Sequence, residues 1–235
     1  MGIDAGIKDF LLFLKNPQYA YKSDEPLGFG MSTMLYMLVF FVILLISSPL
    51  MYLVGVENMQ HSVDELLDNY PKWVFVLLTV VVAPITEELI FRWHLRQPLA
   101  ILYVVAILLC GGMAYAYQEQ LIAYWSAVIG VVFIISLIIL LLYSIELKDA
   151  ITRFYNRFFP LVFYLTVVVF ALAHLGNFSD VDRWYVAPVL VLPQAMVALF
   201  LGYVRVRNNI FWSIYFHAFH NMIPSVLFLM MPDVM

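Results

Sequence analysis

Two adjacent carboxylates, Glu87 and Glu88, lie in an otherwise apolar run, VVVAPITEELIFRWHLR. A charge buried in hydrocarbon costs several kcal/mol unless it is paired or neutralised. Helical spacing places Arg92 at i+4 from Glu88, on the same face. Arg92 can therefore pair with Glu88 and leave Glu87 free for chemistry. Pro84 lacks an N–H and exposes a carbonyl in the turn before it. The alternative is a helix end that reaches the interface, with all three charges snorkelling to water. Glu87 lies 15 residues after Lys72, which is about 22 Å along a helix. That leaves it about 8 Å short of the far side of a ~30 Å hydrocarbon core.

Three more positions bear on that choice. His174 closes the apolar run FYLTVVVFALAH, and His217 and Asn221 stand at i, i+4 in another, with His220 on the same stripe. A single membrane histidine is more often a packing residue than a ligand. Here three separate apolar segments present a Glu pair, a His, and a His/Asn pair. Histidine and glutamate can hold a metal or polarise a water, and an asparagine amide can donate to an oxyanion.

The elements that must position these groups are membrane spans. The 235 residues are 64% hydrophobic and 12% charged, against roughly 25% charged in a soluble domain. The pattern predicts an all-α, polytopic bundle of about seven spans. They fall near 32–54, 71–92 (or to 96), 98–117, 121–145, 160–176, 185–204 and 210–231. An acidic loop (Glu57, Asp64, Glu65, Asp68) follows the first, a polar turn (Gln118–Gln120) joins the third and fourth, and a polar connection occupies 146–157. Residues 3–15 read as an amphipathic interfacial helix with Ile7, Phe10, Leu11 and Leu14 on its apolar face. Residues 1–30 thus form a cytoplasmic or interfacial segment and 31–235 one helical domain.

With seven spans and the N-terminus inside, Lys8, Lys15, Lys22, Arg92, Arg96, Lys148, Arg153, Arg157, Arg205 and Arg207 fall on the cytoplasmic side, and Lys72 and Arg183 fall outside. That bias puts the N-terminus in the cytoplasm. A net charge of −4 implies no nucleic-acid partner, and one cysteine, Cys110, allows no internal disulfide. The first 30 residues show no cleavable signal peptide.

At these residues the sequence resembles the CAAX-protease and bacteriocin-processing intramembrane proteases, also called the Abi family. The family motifs EExxxR, FxxxH and HxxxN occur in order, as Glu87-Glu88-Leu89-Ile90-Phe91-Arg92, Phe170-Ala171-Leu172-Ala173-His174 and His217-Ala218-Phe219-His220-Asn221. The resemblance covers roughly 72–96 and 158–231. It implies an endopeptidase of the bacterial cytoplasmic membrane, acting on a peptide or membrane-bound protein near the cytoplasmic leaflet. In it Glu87 with His174 would activate the attacking water, and His217 and Asn221 would stabilise the oxyanion. The family is usually described as metalloproteases, in which Glu87, His174 and His217 would hold a zinc ion (Zn2+); a metal-independent glutamate mechanism is the other form. Glu88, Arg92, Phe170 and His220 would support the site. No HExxH, GxSG or GxGD is present, so other intramembrane protease chemistries lack their signals.

Two departures stand out. Glu87 and His174 are 87 positions apart, where the family commonly has about one helix between the motifs. The excess is a helical hairpin at about 98–145, which returns the chain to the side it left. His174 also lies about 21 Å along the fifth span from Pro160, and His217 only about 10 Å in from Ile210. Tilt, or a fifth helix that begins below the bilayer, would close that gap. A non-catalytic immunity or scaffold protein of the same family remains the second reading. A proton-coupled transporter is the third, without the inverted repeat it would need.

Overall fold

The computed structural model describes residues 2–19, 26–55, 71–116, 121–142, 144–178 and 184–230. Every helix or strand assigned in them is helical. In chain order these are α1 (Ile3–Lys15), α2 (Phe29–Leu53), α3 (Lys72–Leu77), a π-helical segment (Leu78–Val82), α4 (Ala83–Phe91), α5 (Ala100–Ala116), α6 (Leu121–Leu142), α7 (Ile145–Ala173), α8 (Ala187–Leu190), α9 (Leu192–Arg207) and α10 (Ile210–Met230). Short 3-10 turns follow α4 (Trp93–Leu95) and α7 (His174–Asn177).

Among the described residues, three helices are long and apolar enough to cross a membrane: Phe29–Leu53, Lys72–Leu95 and Ile145–Asn177. A pair bent by 42°, Trp184–Leu190 and Leu192–Arg207, brings the number to four. The seven expected spans also counted α5, α6 and α10, which are helices at the expected places. The acidic loop Glu57–Asp68, the turn Gln118–Gln120, Lys22 and Arg183 lie outside the described residues.

α9 is the hub and packs on α1, α2, α7 and α10. Pro193 starts it, Arg205 and Arg207 close its last turn, and Val197, Ala198 and Phe200 through Val206 are all buried. Hydrophobic transfer does little to join helices that already sit in lipid, so close packing and polar contacts must do it. Gly202 shows the first. A Cβ there would meet the Phe163 ring at 2.6 Å, so only glycine lets α7 and α9 approach so closely. Tyr203 shows the second, donating to the Asp9 carboxylate of α1 at 2.6 Å. Arg207 pairs with the same oxygen at 3.0 Å.

Two local expectations are corrected. The segment 146–157 is helix, not a connection. Ser144 caps the N-terminus of α7, accepting from Leu147 N–H, and the helix runs to a kink at Phe158, just before Pro160. Proline cannot complete the helical ladder and disfavours helical backbone in the residues before it. α7 thus begins 15 residues before Pro160, so Pro160 is not the start of the helix that carries His174. The second correction concerns α1. Its inward face is Gly6, Phe10 and Phe13, with Ile7 and Leu14 flanking, while Ile3, Leu11 and Leu12 are exposed. Phe13 meets Phe163 and Tyr203 at 5.2 and 5.3 Å between ring centroids. α1 therefore packs its inward face on the bundle core, and the expected apolar position Leu11 lies off that face.

The inserted hairpin is α5 packed on α6, and α6 in turn touches α7. Trp93 stacks on Tyr103 at 6.0 Å and ties its base to the end of α4.

Candidate active site

Glu87 and Glu88 are neighbours in α4 and occupy different worlds. A helix turns about 100° per residue, so one carboxylate points into the bundle and the other along its edge. Glu88 is 0% exposed. Its Oε1 accepts from Arg92 Nη1 at 2.5 Å and from His217 Nδ1 at 2.9 Å. Its Oε2 accepts from the Ser213 hydroxyl. Each oxygen has a donor, as a buried carboxylate requires.

The Arg92 guanidinium lies 3.9 Å over the Phe170 ring. Its Nη2 has no hydrogen-bond partner among the described residues, and the ring face supplies a cation–π contact there. Arg205 closes the end of α4 from the other side. Its Nε donates to the Arg92 carbonyl and its Nη2 to the Trp93 carbonyl, both at 3.0 Å. The Arg92 carbonyl also accepts from Leu95 N–H at 3.2 Å, so Arg205 adds a second donor there.

Glu87 is 26% exposed and faces two imidazoles. Its Oε2 is 3.7 Å from His174 Nε2 and 3.7 Å from His217 Nε2. These gaps are too long for direct hydrogen bonds, and that oxygen has no hydrogen-bond partner among the described residues. The opposite ring nitrogens are fixed. His174 Nδ1 donates to the Phe170 carbonyl at 2.8 Å, and His217 Nδ1 donates to Glu88. A carbonyl can only accept, as can an ionised carboxylate. In the neutral rings both Nε2 atoms are then acceptors, turned toward a third acceptor. Three lone pairs converging with no proton between them make a place for a donor, and water is the smallest.

The zinc ligands expected from sequence, Glu87, His174 and His217, are brought together. Their donor chemistry suits zinc, and second partners fix both rings as in metal sites. Ligands at ~2.0–2.2 Å around a tetrahedral zinc lie about 3.4 Å apart, near the two 3.7 Å gaps at Glu87 Oε2. Glu87, His174 and His217 would hold such an ion, which would supply Lewis-acid activation of the attacking water.

Asn221 donates from Nδ2 to the Thr79 carbonyl at 2.9 Å, which keeps its second N–H available. His220 does not join Glu87. Its Nδ1 shares a 3.1 Å hydrogen bond with the Tyr36 hydroxyl of α2, and its ring stands edge-on to Phe40.

Of the residues expected from sequence, Glu87, Glu88, Arg92, Phe170, His174 and His217 lie together and Asn221 rests on Thr79; three contacts were not expected. Ser213 stands one turn before His217 on the stripe that also holds Asn221, so spacing alone could have found it. Arg205 was counted only as an interfacial cation. Thr79 contributes a backbone carbonyl, for which side-chain identity gives no signal.

Residues 69–223 match the family described as Type II CAAX prenyl endopeptidase Rce1-like. No curated protein and no solved structure matches the chain.

Proposed function

Because the chain belongs to the Type II CAAX prenyl endopeptidase Rce1-like family, we propose that it is an intramembrane endopeptidase whose nucleophile is a water held by Glu87. The observation that supports this most is the unpartnered Oε2 of Glu87 facing two imidazole Nε2 atoms at 3.7 Å. A water there gives one O–H to Glu87 and one to an imidazole, and turns a lone pair toward a substrate carbonyl. Glu87 takes a proton as the water oxygen attacks the carbonyl carbon. The carbonyl π pair moves onto oxygen. Collapse then breaks the C–N bond, and Glu87 returns the proton to the leaving amine.

The oxyanion needs donors, and Asn221 offers its second N–H. His217 can donate from Nε2 only as the imidazolium, a charge that the Glu88 carboxylate behind it would face. Glu88, Arg92 and Ser213 are positioning residues in this reading. They touch His217 or each other, and not the space in front of Glu87. A substrate carried on the membrane, prenylated or otherwise lipid-anchored, suits a site among spans. With seven spans, the ten-against-two distribution of Lys and Arg supports a cytoplasmic N-terminus and a site that opens toward the cytoplasm.

The test uses the purified protein in detergent with a peptide library. Wild type should cleave at defined bonds, and Glu87→Ala and His174→Ala should not. Equal cleavage by wild type and both variants would leave a non-catalytic membrane protein as the better reading.

A further inference from the structure

Asn221 is held in place by a backbone carbonyl that the α3–α4 span has no internal donor for. Between Leu78 and Val82 the span widens into a π-helix, and the Ala83 N–H bonds back to the Leu78 carbonyl, five residues earlier. The next carbonyl in that register belongs to Thr79, and its donor would be residue 84. Residue 84 is proline, which has no N–H to give. Thr79 O is thus left over by the helix inside an apolar span, where water cannot satisfy it. Asn221 Nδ2 fills the vacancy at 2.9 Å.

A hydroxyl pair fixes the same two chain segments from one turn further along. Ser225 Oγ donates to the Asn221 carbonyl at 2.7 Å and lies 3.2 Å from Thr79 Oγ1. Thr79 has one hydroxyl proton to share between Ser225 Oγ and the Phe75 carbonyl, 3.0 Å away. Ser225 is buried. π-Helical turns are rare and occur most often at functional sites. Here the turn has a definite consequence: it turns a helix defect into an anchor for a side chain on a neighbouring helix.

We infer that Pro84 and Ser225 are positioning residues for the reaction. Pro84 leaves the Thr79 carbonyl to hold one N–H of the Asn221 amide, Ser225 ties the Asn221 backbone to the Thr79 hydroxyl, and together they aim the other N–H at the position of the oxyanion. This rests on the oxyanion role proposed for Asn221. In Pro84→Ala an N–H becomes available to the Thr79 carbonyl and competes with Asn221. The amide would then rotate freely while the helix itself gains a better helix former.

The experiment is steady-state kinetics of the full chain in detergent on a cleaved peptide, with a double-mutant cycle. Pro84→Ala should lower kcat by about 10- to 100-fold with KM unchanged. Pro84→Ala with Asn221→Ala should be no slower than Asn221→Ala alone. Ser225→Ala should lower kcat by a smaller factor, and Ser225→Thr, which restores the hydroxyl, should recover it; this pair also covers the case of a Pro84→Ala protein that does not fold. Wild-type kcat in Pro84→Ala and Ser225→Ala, or losses that multiply with that of Asn221→Ala, would overturn the inference and leave the oxyanion role standing. Full activity in Asn221→Ala would remove the oxyanion role and the inference with it.

Discussion

The Glu88 side of α4 is closed, and the Glu87 side is open. On the closed side, Arg92, His217 and Ser213 supply donors to both oxygens of a carboxylate with no exposed surface. On the open side, a carboxylate oxygen meets two ring nitrogens at 3.7 Å and bonds to neither. His217 belongs to both, with Nδ1 on the closed side and Nε2 on the open one. A satisfied network is rigid and chemically idle. An unsatisfied one is costly unless something else completes it. The closed side therefore fixes geometry, and the open side is where a water and a substrate would complete the set.

The comparison breaks first at Glu87. Glu87→Gln should lower kcat by roughly 10⁴-fold while thermal unfolding in detergent barely moves, since no buried partner is lost. A large fall in Tm would mean that Glu87 is structural after all. Arg92→Ala should do the opposite. It strands Glu88 as a buried, partly unpaired charge and should cost about 3–5 kcal/mol of stability, read as loss of folded protein on mild heating. An unchanged Tm would show that Glu88 does not need its partner.

His174→Ala comes next, with a fall in kcat of about 10²-fold and little change in Tm. Gly202→Ala lies outside both sides. It should destabilise by about 1–3 kcal/mol as the new Cβ pushes Phe163 away, and loss of activity should follow loss of folded protein. A stable but inactive Gly202→Ala protein would show that the α7–α9 approach sets site geometry directly. The smallest expected effect is that of a chelator. Treatment with phenanthroline, then dialysis, should leave cleavage unchanged. Loss of activity that zinc restores would assign Glu87, His174 and His217 to a metal instead of a water.

Much of this was legible before any coordinates. The helix positions followed from apolar runs of bilayer length, because a backbone in hydrocarbon must bond to itself. Arg92 with Glu88 followed from i, i+4 spacing. Segment 146–157 was misread because its charges look like a loop when hydropathy alone is consulted. In the structure they sit on a helix that Ser144 caps. The inward face of α1 was read too far round, because Leu11 is apolar and yet exposed. In a membrane protein an exposed leucine faces lipid at no cost, so apolarity alone does not say which face is inside.

By itself the sequence determined that this is a helical membrane protein and which few polar residues its spans carry. It also determined their order, and with it the resemblance that the family match bears out. Both follow from local physics: an apolar run must be helical, and a charge within it must have a reason to be there. Only the tertiary structure decided that His217 and Ser213 join Arg92 on Glu88 and that Glu87 faces two imidazoles. It also decided that His220 turns away to Tyr36, and that Asn221 rests on the carbonyl Pro84 leaves unmatched. Those outcomes depend on how helices far apart in sequence are rotated against one another. That rotation is set by close contacts such as Gly202 against Phe163, which no spacing along the chain records.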